Sequence, residues 1–421
     1  MKTKFIVMAA MAAMFSMGFT ACSNNDDEMG GKVAQARGIG FDITANNAHV
    51  TRGLATNAGS IIFTNFQTWG YDTTDDILYM GESASSGRTV TFTDTDDPAD
   101  GVLDTWVYNP VQFWPVNPLA FVAIAPASAA GVTSNATALT SHVVGLTTNV
   151  TLPTNVEDQD DIMFAASRAA DVTTPEPALG AYGNVTKDSH GGDVPLNFQH
   201  ALSQIVFQGQ LPTSGAVTEV EIEEITLGNI GKTGTLTFTS AGTFYSGATY
   251  ISTSTPSKFS LDKDDLQQYT WGTAVGNDNG TNDDATAGTP FALTVSNSTT
   301  APTAAKPGNA WFMLPQQLTA WVPGSAVEQK AGGLYSGSAN VDPSTGAYLK
   351  IRAKLSKNGV VILGKAESDA VYIPINQTWE RGKKYIYTIE FNGEGALTPI
   401  TFSVTAEDWV DASPQPGMLD F

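Results

Sequence analysis

The sequence predicts an all-β protein, and three observations support this prediction. Apolar and polar residues alternate with a period of two in many places, whereas no long stretch has the apolar spacing of a helix. β-Branched and aromatic residues are concentrated in the alternating stretches. Clusters of Gly, Asn, Asp and Pro separate these stretches, as tight turns require. Many short strands joined by such turns are typical of β-sandwiches and barrels.

The clearest alternation predicts strands in both halves of the chain. These strands are 89–93 (TVTFT), 234–239 (GTLTFT), 291–295 (FALTV), 384–391 (KYIYTIEF) and 400–405 (ITFSVT). The segment 194–207 contains two strand-like pieces that flank a short joint. Within it, the window 199–205 is the stretch most compatible with a helix, but we interpret it as strand.

The length of 421 residues accommodates two or three domains at roughly 100 to 200 residues each, and we predict two. The first domain would extend over 53–212 and the second over 213–421. The second begins near the segment 217–227 (VTEVEIEEITL), whose valines and isoleucines alternate with glutamates as in a half-exposed strand. The residues between the two halves, 212–215 (PTSG), have the composition of a linker.

The charge balance excludes one class of partner. Lys and Arg number 21 against 42 for Asp and Glu, which gives a formal net charge of -21. Such a chain repels an extended phosphate backbone, so we predict no nucleic-acid partner.

The amino terminus predicts export and a lipid anchor. Residues 1–21 combine two early lysines with the apolar run 5–15, which is typical of a secretory signal peptide. Cys22, the single cysteine, follows directly and resembles the lipidated cysteine of a bacterial lipobox, the alternative being a buried or stray thiol. The acyl chains of a lipoprotein give stable anchoring. The run 23–28 (SNNDDE) resembles the surface-export signal of Bacteroidetes lipoproteins, the alternative being a solvated linker, and it favours a place on the outer face of the outer membrane.

No motif for catalysis, metal binding or cofactor binding is present, so we predict no enzyme and no cofactor. The histidines do not have metal-ligand spacing, and neither the G-x-S-x-G nor the P-loop pattern occurs. Two acid-rich segments, 94–101 and 276–284, have the carboxylate density of a calcium loop but not the EF-hand spacing, and we interpret them as solvated loops. We therefore predict no metal site, while calcium binding by these loops stays open.

The tryptophans allow two interpretations. They could form an exposed stacking platform for sugars, or they could fill the cores of two sandwiches, and we favour the core because most lie in alternating or apolar runs. They are Trp69, Trp106, Trp114, Trp271, Trp311, Trp321, Trp379 and Trp409.

An ordered set of segments resembles the fimbrillin family, the pilins of Bacteroidales fimbriae. Besides Cys22, the matching segments are 38–52 (GIGFDITANNAHVTR), 106–108 (WVY), 113–115 (FWP), 198–205 (FQHALSQI), 311–317 (WFMLPQQ), 379–385 (WERGKKY) and 400–409 (ITFSVTAEDW). The resemblance spans nearly the whole mature chain. It implies two transthyretin-like β-sandwich domains in tandem after the signal peptide.

The resemblance also implies that 22–52 is a propeptide with a removable first strand. Ile39, Phe41 and Ile43 alternate with small or polar residues, as a half-buried strand requires. A trypsin-like arginine-specific protease would cut between Arg52 and Gly53 and so release this strand. Its loss would open an apolar groove with unpaired backbone groups.

A second arginine, Arg37, is a competing cleavage site. It precedes the strand, so a cut there would release only a linker and would open no groove. We therefore favour Arg52.

A strand of the next subunit would fill the groove by donor-strand complementation. The candidate donor is the end of the chain, where Ile400, Phe402 and Val404 alternate with polar residues before Trp409. For the tail after Trp409, donation and a frayed terminus remain equal alternatives.

The favoured function is therefore a structural or adhesive subunit of surface fimbriae that polymerises with itself or with other subunits. The alternative is a monomeric surface lipoprotein that binds glycans, and an acid-pair glycosidase is the weakest hypothesis because no signature supports it. The sequence leaves open whether the subunit is stalk, tip or anchor, and which host or bacterial ligand it contacts.

Overall fold

Strands account for nearly all of the regular structure, which confirms the all-β prediction. The structure is a computed structural model that describes residues 37–45, 48–49, 63–93, 105–139, 143–154, 158–167, 183–210, 219–239, 251–252, 257–262, 291–292, 310–322, 328–330, 334–336, 345–357, 360–363, 370–391 and 400–408. These residues include a 3₁₀ turn at Ser189–Gly192 and contain no α-helix. The tandem transthyretin-like arrangement stays a prediction.

The strands of the first half are β1 (Gly40–Ala45), β2 (Ala48–His49), β3 (Asn65–Asp72), β4 (Ile77–Met80), β5 (Arg88–Thr93), β6 (Thr105–Val107), β7 (Leu119–Ala125), β8 (Val132–Leu139), β9 (Val143–Thr151), β10 (Met163–Ala166), β11 (Asp193–His200) and β12 (Ser203–Gln210). The later strands are β13 (Glu219–Ile230), β14 (Thr233–Thr239), β15 (Ile251–Ser252), β16 (Ser257–Asp262), β17 (Phe291–Ala292), β18 (Ala310–Met313), β19 (Gln316–Gln317), β20 (Glu328–Lys330), β21 (Leu334–Ser336), β22 (Tyr348–Lys357), β23 (Val360–Leu363), β24 (Ala370–Pro374), β25 (Thr378–Trp379), β26 (Lys383–Phe391) and β27 (Ile400–Asp408).

The largest sheet contains nine strands in the order β2-β1-β11-β10-β7-β3-β5-β6, with β4 added beside β3. Its central strand β7 (LAFVAIA) is buried along its whole length. Ala120, Val122 and Ile124 belong to one core cluster, and Phe121 and its neighbours on the other face belong to a second. Because both faces are covered, the strand is continuously apolar rather than alternating.

The predicted joint in 194–207 is confirmed. β11 ends at His200, β12 begins at Ser203, and Ala201 and Leu202 are the buried residues between them. The chain thereby passes from the nine-stranded sheet into a second sheet of order β17-β12-β26-β27, in which β18 also pairs with β12. The window 199–205 is thus two strand ends and a joint rather than one continuous strand.

Two further sheets complete the main layers. One has the order β16-β13-β22-β23 with β24 beside β22, and the other has the order β15-β14-β9-β8. β9 and β14 pair along seven residues, from Thr151↔Thr233 to Gly145↔Thr239. This sheet joins strands from both sides of the predicted boundary at 212/213. The residues at that boundary lie outside the described residues, so the division into 53–212 and 213–421 stays a prediction.

The nine-stranded and four-stranded sheets pack face to face through the first core cluster. Phe164 of β10 stacks on Phe238 of β14 with ring centroids 4.7 Å apart. Trp69, Trp311 and Trp379 are fully buried in the same cluster. Apolar packing of this kind is the main favourable term in the stability of the fold.

The turn between β3 and β4 is fixed by a buried carboxylate. Asp72 accepts hydrogen bonds from the backbone amides of Thr74 (2.8 Å) and Asp75 (3.2 Å) and from the side-chain amide of Asn117 (2.9 Å). Burial alone would raise the pKa of Asp72, but the hydrogen bonds from Asn117, Thr74 and Asp75 hold it below its usual value.

Candidate functional site: the seat of the first strand

The first strand is inserted beside a strand from far along the chain. β1 pairs in parallel with β11 in a continuous register from Gly40↔Asp193 to Ala45↔Phe198. On its other side, among the described residues, β1 pairs with the two-residue strand β2. We call the surface that β1 covers the β1 seat. It comprises the edge of β11 and the side chains of Phe66, Tyr108 and Phe121.

The apolar side chains of the first strand are core residues. Ile39, Phe41 and Ile43 are 3%, 9% and 2% exposed. The Phe41 ring makes edge-to-face contacts with the rings of Phe66 (5.5 Å), Tyr108 (5.8 Å) and Phe121 (6.0 Å). Phe66 lies on β3, which is separated from β1 in the sheet order by three strands. The sheet is therefore curved, and β1 helps to close it around the second core cluster.

The residues just before β1 are held by the loop 108–114. The amide of Ile39 donates to the carbonyl of Gln112 (2.9 Å), and the amide of Trp114 donates to the carbonyl of Arg37 (3.1 Å). The hydroxyl of Tyr108 donates to the carbonyl of Ile39 (2.9 Å). Burial raises the pKa of Tyr108 above its ordinary value. The backbone from 37 onward is thus fixed before the strand begins.

A charged group lies over the outward face of the seat. The carboxylate of Asp193, at the start of β11, is 3.9 Å from the guanidinium of Arg37, and both side chains are about half exposed. Burial raises the pKa of Asp193, the positive charge of Arg37 opposes this effect, and the negative charge of Asp42 adds to it. A Cβ built at Gly40 would overlap this carboxylate, so a glycine fits where a larger residue does not.

The candidate donor strand is an edge strand of the second sheet. β27 pairs antiparallel with β26 from Lys383↔Asp408 to Phe391↔Ile400, and in the described part it has no second neighbour. Lys384 pairs with Glu407 at 2.8 Å, and Lys383 pairs with Asp408. Val404 is half-buried against the core. The other described side chains of this strand, from Ser403 and from 405–408, are exposed.

Several predicted residues lie outside the described residues. They are the lipidation site Cys22, the cleavage site Arg52 and Gly53, and the end of the donor segment, Trp409. The acid-rich segments 94–101 and 276–284 also lie outside the described residues. The predictions for all of these stay predictions.

The tryptophans that the structure describes support the core interpretation. Trp69, Trp311, Trp321 and Trp379 are buried, and Trp106 and Trp114 are half-buried. The indole of Trp114 donates to the carbonyl of Gly192 (2.8 Å). None of the six is exposed enough to present a free stacking face, while Trp271 and Trp409 lie outside the described residues.

A buried, hydrogen-bonded pair of His200 and Asp161 next to the joint was not predicted. Nδ1 of His200 lies 2.7 Å from Oδ2 of Asp161, with the two side chains 1% and 0% exposed. The pair fixes the end of β11 to the segment before β10. The two residues are far apart in sequence and belong to no motif, so only the polar character of a His inside an apolar strand signalled a partner.

The described residues contain no group of three or more His, Cys, Asp or Glu side chains that could hold a metal ion. Among them, no helix has the length and apolarity needed to cross a membrane.

The protein is a multi-sheet β protein. Its first strand pairs with a strand from a distant part of the chain. The profile of the fimbrillin-like family matches residues 69–409, and this chain therefore belongs to the fimbrillin-like family. This agrees with the resemblance found in the sequence. No curated protein matches the chain.

Solved structures of fimbrial proteins are similar to this chain at low identity. A fimbrial protein from Bacteroides vulgatus ATCC 8482 is 17% identical, with a TM-score of 0.47 over 89% of this chain and 99% of that chain. The tip fimbrial protein Mfa3 from Porphyromonas gingivalis, with a C-terminal truncation, is 12% identical, with a TM-score of 0.30 over 82% of this chain and 94% of that chain.

Proposed function

We propose that this protein is a structural or adhesive subunit of cell-surface fimbriae, made as a lipoprotein precursor and polymerised by strand exchange. Membership of the fimbrillin-like family supports the fimbrial role, the cell-surface location and other fimbrial subunits as partners. In this proposal the thiol of Cys22 carries the lipid that anchors the precursor in the outer membrane. A protease then cleaves between Arg52 and Gly53, β1 departs, and a neighbouring subunit fills the β1 seat.

The observation that carries the proposal is the burial of β1 in its seat. Each fully buried Ile or Phe side chain contributes about 1.5 to 3 kcal/mol, so the three side chains of β1 contribute roughly 5 to 9 kcal/mol in total. Loss of β1 would also leave the edge of β11 unpaired along the register from Asp193 to Phe198. A subunit without β1 is therefore strongly driven to accept another strand of matching pattern.

The choice of Arg52 over Arg37 is supported by the backbone around Arg37. The carbonyl of Arg37 is hydrogen-bonded to Trp114, and β1 follows within three residues. A protease must draw its substrate into an extended conformation, which is costly where the backbone is already held. A cut after Arg37 would also leave all of β1 in the seat.

The end of the chain carries the same apolar pattern as the first strand. Residues 39–43 are I-G-F-D-I and residues 400–404 are I-T-F-S-V, so Ile400, Phe402 and Val404 repeat the spacing of the three buried side chains of β1. β27 is an edge strand, and its described side chains at Ser403 and 405–408 are exposed, so these side chains lose little burial when the strand leaves its sheet. We therefore propose this strand as the donor.

Substitution of the two arginines tests the proposal. We expect Arg52→Ala to leave full-length precursor at the cell surface and to reduce the yield of fibres strongly, because β1 stays in its seat. The matched variant Arg37→Ala should be processed and assembled normally. Amino-terminal sequencing of shed fibres should give Gly53 as the first residue, and a normal fibre yield from Arg52→Ala would contradict the proposal.

A further inference from the structure

The space above Gly40 is occupied by the side chain of Asp193. A Cβ at position 40 would overlap Oδ1 of that carboxylate and would lie 2.9 Å from its Cγ. Gly40 and Asp193 are register partners in a parallel pair, so their side chains share the outward face of the sheet. A strand that occupies the seat in this register must therefore either have glycine at this position or move the Asp193 carboxylate.

The repeated apolar pattern fixes which donor residue meets Asp193. If Ile400, Phe402 and Val404 of a second copy replace Ile39, Phe41 and Ile43, the residue at the place of Gly40 is Thr401. A shift by one residue would turn the apolar side chains to the outward face, and a shift by two would place Ala406 or Thr398 in the core, so this register refills the core best. The β-branched Thr401 has the bulk that Gly40 lacks.

We propose that the side chain of Asp193 is a specificity gate of the β1 seat. Gly40 of the chain's own strand fits beside the Asp193 carboxylate without any movement. Thr401 of a second copy fits only when the Asp193 carboxylate rotates outward. The inference rests on the proposed function, since it concerns the same seat and the same donor. The gate favours retention of the chain's own strand in the precursor and slows premature exchange.

The Asp193 carboxylate can rotate because it is half exposed and only weakly paired. Its side chain is 48% exposed and its cationic neighbour Arg37 is at 3.9 Å, a weak partner that departs with β1 after cleavage. The donor strand replaces Asp42, which repels Asp193, with Ser403. Processing at Arg52 therefore removes both Arg37 and Asp42 from the neighbourhood of Asp193, and the donor strand brings back neither charge. The remaining barrier is steric.

Peptide capture during processing of the full-length precursor tests the gate. The purified precursor is cleaved with trypsin in the presence of excess labelled peptide 397–408 (LTPITFSVTAED), and capture is measured by size exclusion and native mass spectrometry. A second peptide carries Thr401→Gly. The glycine peptide enters without displacing the Asp193 carboxylate from its preferred rotamer, so it should be captured roughly two- to tenfold better.

The same two peptides are then compared on Asp193 variants. On Asp193→Ala the advantage of the glycine peptide should disappear, because no carboxylate remains to be displaced. On Asp193→Asn, which keeps the shape and removes the charge, the advantage should persist. Because each ratio compares the same peptides, the lower strand propensity of glycine cancels.

The outcomes separate the gate from the proposed function. An unchanged ratio on Asp193→Ala, with both peptides captured, overturns the gate and leaves strand exchange intact. Capture of neither peptide by any receptor overturns strand donation by this segment and the gate with it. A peptide with Phe402→Ala serves as the control for occupancy of the seat, and equal capture of that peptide also overturns the gate.

Discussion

Replacing Phe41 with alanine tests whether β1 is an integral part of the precursor fold. The ring is 9% exposed and contacts three other rings at 5.5 to 6.0 Å. Truncation of a buried Phe to Ala costs about 3 to 5 kcal/mol, which includes the cavity that remains. Because β1 lies near the edge of the sheet and its neighbours can partly collapse, we expect a loss of about 3 kcal/mol in the free energy of unfolding.

The assay is denaturation of the full-length precursor with guanidinium chloride, followed by tryptophan fluorescence. The matched control is Asp42→Asn on the outward face of the same strand, for which we expect a change of less than about 0.5 kcal/mol. Fibres assembled from processed Phe41→Ala protein should be as stable as wild-type fibres, because residue 41 is no longer present. A loss below about 1 kcal/mol in the precursor would refute the reasoning, since β1 would then be peripheral to the core.

Two further predictions concern buried polar groups. His200→Ala should lower the free energy of unfolding by about 3 kcal/mol or more, because the buried carboxylate of Asp161 loses its imidazole partner. Lys384→Ala, which breaks an exposed ion pair, should cost less than about 1 kcal/mol in the same denaturation experiment, and equal effects would contradict the prediction. Asp72→Asn should cost about 1 kcal/mol at neutral pH. The pKa of Asp72 is lowered on folding, so the carboxylate stabilises the fold above its unfolded pKa of about 4 and this contribution is lost as the pH falls through the folded pKa. Unfolding curves at several pH values should therefore converge for wild type and Asp72→Asn in acid, and a constant difference would refute this assignment.

Strands with one solvated face could be predicted from the sequence, because their apolar residues face the core and alternate with polar residues that face water. The predicted strand 234–239 corresponds to β14 (Thr233–Thr239), and 384–391 corresponds to β26 (Lys383–Phe391). In β26 the burial alternates along the strand, as the sequence does. The predicted strand 291–295 is described only at Phe291–Ala292.

The pairing of strands could not be predicted, because a strand pattern does not identify its neighbour. β7 (Leu119–Ala125) was not among the clearest strands, since burial on both faces removes the alternation. The parallel pairing of β1 with β11 and the contact of His200 with Asp161 join residues that are distant in sequence. For the candidate site, the sequence therefore indicated the apolar strand with Ile39 and Phe41, but not the seat that holds it.

The order in which the chain is made has a consequence for the parallel pairing of β1. The polypeptide is synthesised from its amino end, so β1 exists long before Asp193 and the rest of its partner strand. During that interval Ile39 and Phe41 have no core to enter, and an unpaired apolar strand promotes aggregation. Contacts between distant segments also form slowly. The first strand therefore waits longest for its partner, and the largest sheet is completed only after residues 193–198 have been made.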